Sequence, residues 1–139
     1  MSHYEANCIH CGNPCYMAHE PPPPRVICPV CETMTLDEYQ REAWGMALES
    51  ARSEDYLYPG LIAEVGEFMD VEAKAVRDGV SDFAQYRENQ KKELGDILWF
   101  VAGIVSHHGW SLSDIAGRNL QKLRSRKARG RLQGSGDDR

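Results

Sequence analysis

The sequence predicts an all-α protein, a four-helix bundle carrying a small N-terminal zinc-ribbon appendage. Three observations predict it. Residues 35–129 carry apolar side chains at helical spacing nearly throughout, with no convincing strand. Thr35-Leu-Asp-Glu38 and Ser111-Leu-Ser-Asp114 have the form of capping boxes, in which a hydroxyl and a carboxylate satisfy the free N–H groups at a helix start. Residues 1–34 are different in kind, rich in Cys and Pro and without a helical period. The expected organisation is a metal-binding segment over 1–34, a helical domain over 35–129 and a Gly-rich tail over 130–139.

In the first segment, Cys8-x-x-Cys11 and Cys28-x-x-Cys31 read as two knuckles presenting four thiolates to one tetrahedral Zn²⁺. Cys15 is spare, His10 and His19 are substitute ligands, and the Pro21–Pro24 run suits an extended connection. A stabilising cap or an oligomer contact is the plainer role for such a ribbon. Nucleic-acid binding is not expected, because Arg25 is its one Lys or Arg and phosphate contacts need several cations.

The first helix is predicted from Thr35 to about Glu54. Tyr58-Pro59-Gly60 is read as a break. The second helix runs from about Leu61 to Asp78, with Gly79 placed for a left-handed C-cap. Ser81 or Asp82 caps a third, ending near His108-Gly109, and its polar start around Arg87 to Lys92 suggests a separate turn. Ser111 opens a fourth helix that ends near Lys127.

Two acidic pairs stand inside this helical region, Glu64-Val-Gly-Glu67 and Glu93-Leu-Gly-Asp96. On a helical wheel Glu64 and Glu67 flank a stripe of Leu61, Val65, Phe68, Met69 and Val76. Glu93 and Asp96 flank a matching stripe of Leu94, Ile97, Leu98, Val101, Ile104 and Val105. Helices packed through these stripes bring four carboxylates together, a costly arrangement unless a hard cation pairs with them. A lone Glu-x-x-Glu is usually solvated; two in matching register point to a metal. Oxygen-only ligation favours Mg²⁺ or Mn²⁺ and argues against a di-iron bundle, which uses Glu-x-x-His. Gly66 and Gly95, at matching places in the two motifs, suggest close backbone approach or room for a ligand.

Mg²⁺ on such a scaffold usually meets phosphate. The net charge of −5 excludes a general electrostatic nucleic-acid binder, yet Arg118 to Arg131 carries seven cations and no acid. The candidate phosphate partners are Asn119 and Lys122, which share a helix face, with Arg126, Arg139 and Lys74. Trp44 and Tyr39 are candidates to stack on a base, although core or interface roles are commoner for them, and Trp99, off its helix's apolar stripe, suits a subunit interface. No segment reaches the roughly 18 to 20 apolar residues that span a bilayer, and no signal-peptide core begins the chain, so a cytoplasmic location is expected, as the Cys-x-x-Cys pairs also suggest.

Glu64-x-x-Glu67, Glu93-Leu-Gly-Asp96-Ile-Leu-Trp and Asn119-Leu-Gln-Lys122-Leu together resemble the MazG family of all-α nucleoside triphosphate pyrophosphohydrolases. The likeness runs from about Leu36 to Arg139. It includes Leu36-Asp-Glu-Tyr39-Gln and the tail Gly134-Ser-Gly-Asp-Asp-Arg139, both similar to small, phage-type members. The resemblance implies a bundle assembling as a homodimer or homotetramer. It also implies Mg²⁺-dependent cleavage of a (d)NTP between its α- and β-phosphates, giving (d)NMP and pyrophosphate. Glu64, Glu67, Glu93 and Asp96 match the metal ligands, and Asn119 and Lys122 the phosphate-side residues. A diphosphate or an alarmone is an alternative substrate. The rival from another class is a non-catalytic zinc-binding adaptor or nucleic-acid-associated assembly protein, which has no need of four convergent carboxylates.

Overall fold

A computed structural model describes residues 4–7, 14–17 and 34–133. The chain divides into two compact units, Met1–Thr35 and Leu36–Arg139. In the first, β1 (Tyr4–Asn7) and β2 (Pro14–Met17) pair antiparallel, with Tyr4 opposite Met17 and Asn7 opposite Pro14. The predicted zinc ligands Cys8, Cys11, Cys28 and Cys31 lie outside the described residues, as do His10, His19, the proline run and the tail from 134 to Arg139.

The second unit contains four α-helices among its described residues: α1 (Leu36–Gly45), α2 (Glu54–Asp78), α3 (Phe83–His107) and α4 (Leu112–Ala128). A short 3-10 turn, Glu49–Ala51, joins α1 to α2. No described helix is long and apolar enough to cross a membrane.

Two predicted boundaries are corrected. The first helix does not continue to Glu54. It ends at Gly45, where Met46 and Ala47 donate to the carbonyls of Ala43 and Trp44, three residues back. The Arg52 guanidinium then holds the carbonyls of Trp44 and Ala47 and lies 4.8 Å over the Trp44 ring, closing the turn. The second helix does not wait for Leu61; it starts at Glu54, after Ser53 in extended conformation, and passes through Pro59. An interior proline costs a helix about 3 kcal/mol. That cost is offset locally: Leu57 is wholly buried, worth about 2 kcal/mol. Tyr56 also sets its ring 5.8 Å from that of Phe100. Gly60 is not a breaker but a contact residue, since a Cβ there would sit 2.1 Å from the Phe100 ring.

The remaining helix ends fall where the sequence puts them, but Gly79 is not a left-handed C-cap and α3 has no separate first turn. Asp82 caps α3 by accepting from the N–H groups of Ala84 and Gln85, and the polar stretch from Arg87 to Lys92 is continuous helix. Gly79 ends α2 at φ 76°, ψ 169°, a mirror-extended conformation that favours glycine. The Ser111 hydroxyl caps α4 by accepting from the Asp114 N–H.

α2 and α3 form an antiparallel hairpin. Leu57 meets Gly103 and Gly60 meets Phe100 at one end, while Glu72 accepts from the Tyr86 hydroxyl and the Gln90 amide further along. Each helix has 25 residues, hence about 37 Å, against about 15 Å for the 10-residue α1. α1 packs on α3, and α4 packs on α1. Gln40 fixes this corner, donating to the Ser106 hydroxyl and the Trp110 carbonyl and accepting from the Leu112 N–H. Asp37 accepts from the Ser113 N–H and the Ser111 hydroxyl, which lowers its carboxyl below the usual value. The buried side chains, among them Leu57, Phe100, Ala102, Val105 and Leu112, gather at this end.

The short α1 leaves much of the hairpin bare, so the predicted apolar stripes are not simply the buried faces. Val65, Met69 and Val76 on α2 and Leu94 and Leu98 on α3 are exposed. Gly66 and Gly95 mark no close approach either: a Cβ at either position would meet nothing within 4 Å.

Candidate active site

The acidic pairs lie midway along the hairpin, where α2 and α3 run side by side. Helical i,i+3 spacing puts Glu64 and Glu67 on one edge of α2, and antiparallel pairing sets Glu93 of α3 opposite them. One carboxylate oxygen from each of Glu64, Glu67 and Glu93 lies within 4.8 Å of the others. Asp96, one turn further along α3, stays outside this group, but its charge bears on Glu64 and on Tyr39 of α1.

The electrostatics show the cost of this grouping. The Glu64 carboxyl is pushed above its ordinary range, first by burial and then by Glu67, Asp96 and Glu93 in turn. The Tyr39 hydroxyl is pushed up by burial and then by Asp96. A divalent cation held by the three carboxylates would neutralise their mutual repulsion, and the all-oxygen donor set fits a hard ion. The all-oxygen donor set therefore fits a hard ion such as Mg²⁺ or Mn²⁺, which Glu64, Glu67 and Glu93 could hold.

A cleft of about 690 Å³ extends from Glu67 and Glu93 towards the α2–α3 turn. Lys74 lines it, with its ammonium 2.5 Å from the Asp70 carboxylate. Tyr86, Asn89 and Lys92 line it too. The sequence reading passed over these three, although Asn89 and Lys92 stand within a turn of Glu93 in the stretch noted only for its polarity.

Asn119 and Lys122 occupy a different hollow, about 410 Å³, lined with Ile115 and Arg118 along one face of α4. Arg126, further along α4, is buried at 7% exposure. Trp44 serves packing: Arg52 covers its ring, and a Cβ at Gly103 would lie 3.5 Å from its edge. Tyr39 packs against Ala102, Val105 and Leu112, and Trp99 sets its ring edge-on to Phe100. Arg139 lies outside the described residues.

Comparison with known proteins follows the same lines. The profile of the MazG nucleotide pyrophosphohydrolase domain matches residues 52–130, from just before α2 to the end of α4. The chain is also similar to the Gene 37 protein of Mycobacterium phage L5, 38% identical over 114 residues that cover 76% of this chain and 100% of the relative. No solved structure matches it.

Proposed function

Since the chain belongs to the MazG nucleotide pyrophosphohydrolase family, we propose that it converts a (d)NTP and water to (d)NMP and pyrophosphate with Mg²⁺ or Mn²⁺. The observation that carries this reading is the convergence of Glu64, Glu67 and Glu93 on one point beside an open cleft. Three carboxylates with oxygens this close repel one another, and a bound cation would relieve that repulsion.

When bound, the cation polarises phosphoryl oxygens and lowers the pKa of a water. Glu64 and Glu93, both partly shielded from solvent, would hold it from the two helices. Glu67, the exposed member of the group, accepts the proton of the attacking water as the anhydride bond breaks and pyrophosphate leaves. Asp96 adds negative charge beside the group, where it bears on Glu64 and Tyr39. Asn119 and Lys122 bind phosphate oxygens, and Lys122 offsets the charge that develops on them. Lys74 and Arg126 are supporting cations.

Assembly as a homodimer or homotetramer belongs to the same reading and is supported by the exposed apolar side chains of α2 and α3. A structural Zn²⁺ on Cys8, Cys11, Cys28 and Cys31 rests on the spacing of the two Cys-x-x-Cys pairs.

The deciding experiment is pyrophosphate release across canonical and modified (d)NTPs with the metal varied. Glu67→Gln is expected to lose about 100-fold or more in rate with an unchanged circular dichroism spectrum. A wild-type chain that releases no pyrophosphate from any nucleotide would sink the proposal and favour the adaptor.

A further inference from the structure

The cleft that opens at Glu67 and Glu93 continues to the α2–α3 turn, and its character changes on the way. Towards the metal end it carries cations: Lys92 precedes Glu93, and the Lys74 ammonium reaches back to Asp70. At the turn end the charged lining groups are Asp78 and Asp82, and like charge keeps a phosphate out. Between the two ends the walls suit a flat, uncharged group. The antiparallel register that sets Gly60 against Phe100, and Glu72 against Tyr86 and Gln90, also sets Val71 and Ala75 of α2 across from Asn89 and Gln85 of α3. One wall is therefore aliphatic and the other is an amide pair. Tyr86 lines the cleft as well, and its ring is fixed because its hydroxyl donates to Glu72 and accepts from Gln90.

The amide pair has a defined polarity. Gln85 Nε2 donates to Asn89 Oδ1 over 2.8 Å. That leaves Gln85 Oε1 as an acceptor and the Asn89 NH₂ as a donor, side by side on the cleft wall. An acceptor beside a donor complements the hydrogen-bonding edge of a nucleobase. On a bare helix face such an i,i+4 pair only adds a little helix stability. Here it lines a cleft continuous with two of the metal-holding carboxylates. Asn89 and Gln85 precede Glu93 by one and two helical turns, about 6 and 12 Å along the axis. A base attached through its ribose to a metal-bound α-phosphate falls in that interval.

We propose that the nucleoside end of the substrate lies in this cleft and that Gln85 and Asn89 read the edge of its base, while the triphosphate stays at the metal end. This rests on the pyrophosphohydrolase reading and adds the residues that set base preference. The aliphatic wall and the Tyr86 ring hold the faces of the base, and the two amides select its edge.

Comparing bases, with and without the amides, tests this. Wild-type kcat/KM for pyrophosphate release is expected to differ among dATP, dCTP, dGTP and dTTP. Gln85→Ala/Asn89→Ala, which keeps good helix formers in α3, is expected to shrink the ratio of best to worst base by about 10-fold or more. Binding of inorganic tripolyphosphate with Mg²⁺, which offers the phosphates without a base, is expected to stay at the wild-type level. Ala75→Leu narrows the cleft from the opposite wall and is expected to weaken nucleotide binding by about 10-fold while sparing tripolyphosphate. A wild type that treats the four bases alike overturns the proposal, as does a double variant that keeps the wild-type ratio. Loss of tripolyphosphate binding in step with nucleotide binding overturns it as well, since the cleft then holds phosphate. A wild type that releases no pyrophosphate overturns the functional reading itself, and the base site is then decided by the same comparison of nucleotide and tripolyphosphate binding.

Discussion

Glu64 is where chemistry and stability conflict. Its carboxyl is raised above the ordinary value of 4.5, chiefly by burial and then by three neighbouring acids. A carboxylate whose folded pKa exceeds its unfolded one binds its proton more tightly in the native state. Its ionisation therefore destabilises the fold as pH rises from 4.5 through the folded value, and the cost is fully present above that. Without metal at pH 7, Glu64→Gln is expected to melt about 2 °C higher than wild type, the size expected of a relieved like-charge contact. The gap should close below pH 4.5, where both side chains are neutral. Adding Mg²⁺ should reverse the order, since a ligand at 100 times its Kd stabilises the native state by about 2.7 kcal/mol, and only the intact cluster gains it. Melting curves with and without Mg²⁺ across pH check both signs. The acidic residues were legible in the sequence because two such pairs stand in matching register beside apolar stripes, which a single solvated pair does not explain. The separation of Asp96 from the group was not, because it depends on how α2 and α3 are offset along their axes.

The helices themselves were largely legible, and the misread elements share a cause. Asp82, Ser111 and Gly79 end their helices through local hydrogen bonds or backbone conformation, which sequence records directly. Pro59 and Gly60 carry an equally strong local signal for a break, and tertiary packing overrides it: Phe100 needs the space that Gly60 leaves. Two substitutions separate local from tertiary effects. Gly60→Ala improves helix propensity by about 1 kcal/mol but drives a methyl into the Phe100 ring, so a net loss of about 1–2 kcal/mol is expected. Gly117→Ala, in mid-α4 with nothing within 4 Å of the new Cβ, is expected to gain about 1 kcal/mol. Urea denaturation of the two variants should move in opposite directions. Equal shifts would mean that Gly60 does not mark the α2–α3 contact.

At the scale of the whole molecule, the long hairpin and the short α1 leave an apolar face that the described helices do not cover. Ile62, Val65 and Met69 recur at helical spacing along α2, with Ile62 71% exposed. Sequence periodicity identified apolar positions here but could not say which stripe meets α3 and which is left exposed, because both have the same composition. The double variant Ile62→Gln/Met69→Gln decides between a solvated face and a covered one, and it adds no charge to the acidic site. On a monomer, exposed substitutions of this kind change stability by about 0.5 kcal/mol or less. On an interface they forfeit about 2 kcal/mol per buried side chain, counted on each chain. Folding coupled to dimerisation also makes the wild-type melting temperature rise with concentration, by about 3 °C per tenfold for two helical domains of this size. The double variant is expected to lose that dependence, to sediment as a monomer and to lose pyrophosphate release with its helices intact. If it melts, sediments and turns over like wild type, the stripe is solvated and the carboxylate cluster has to act within a single chain.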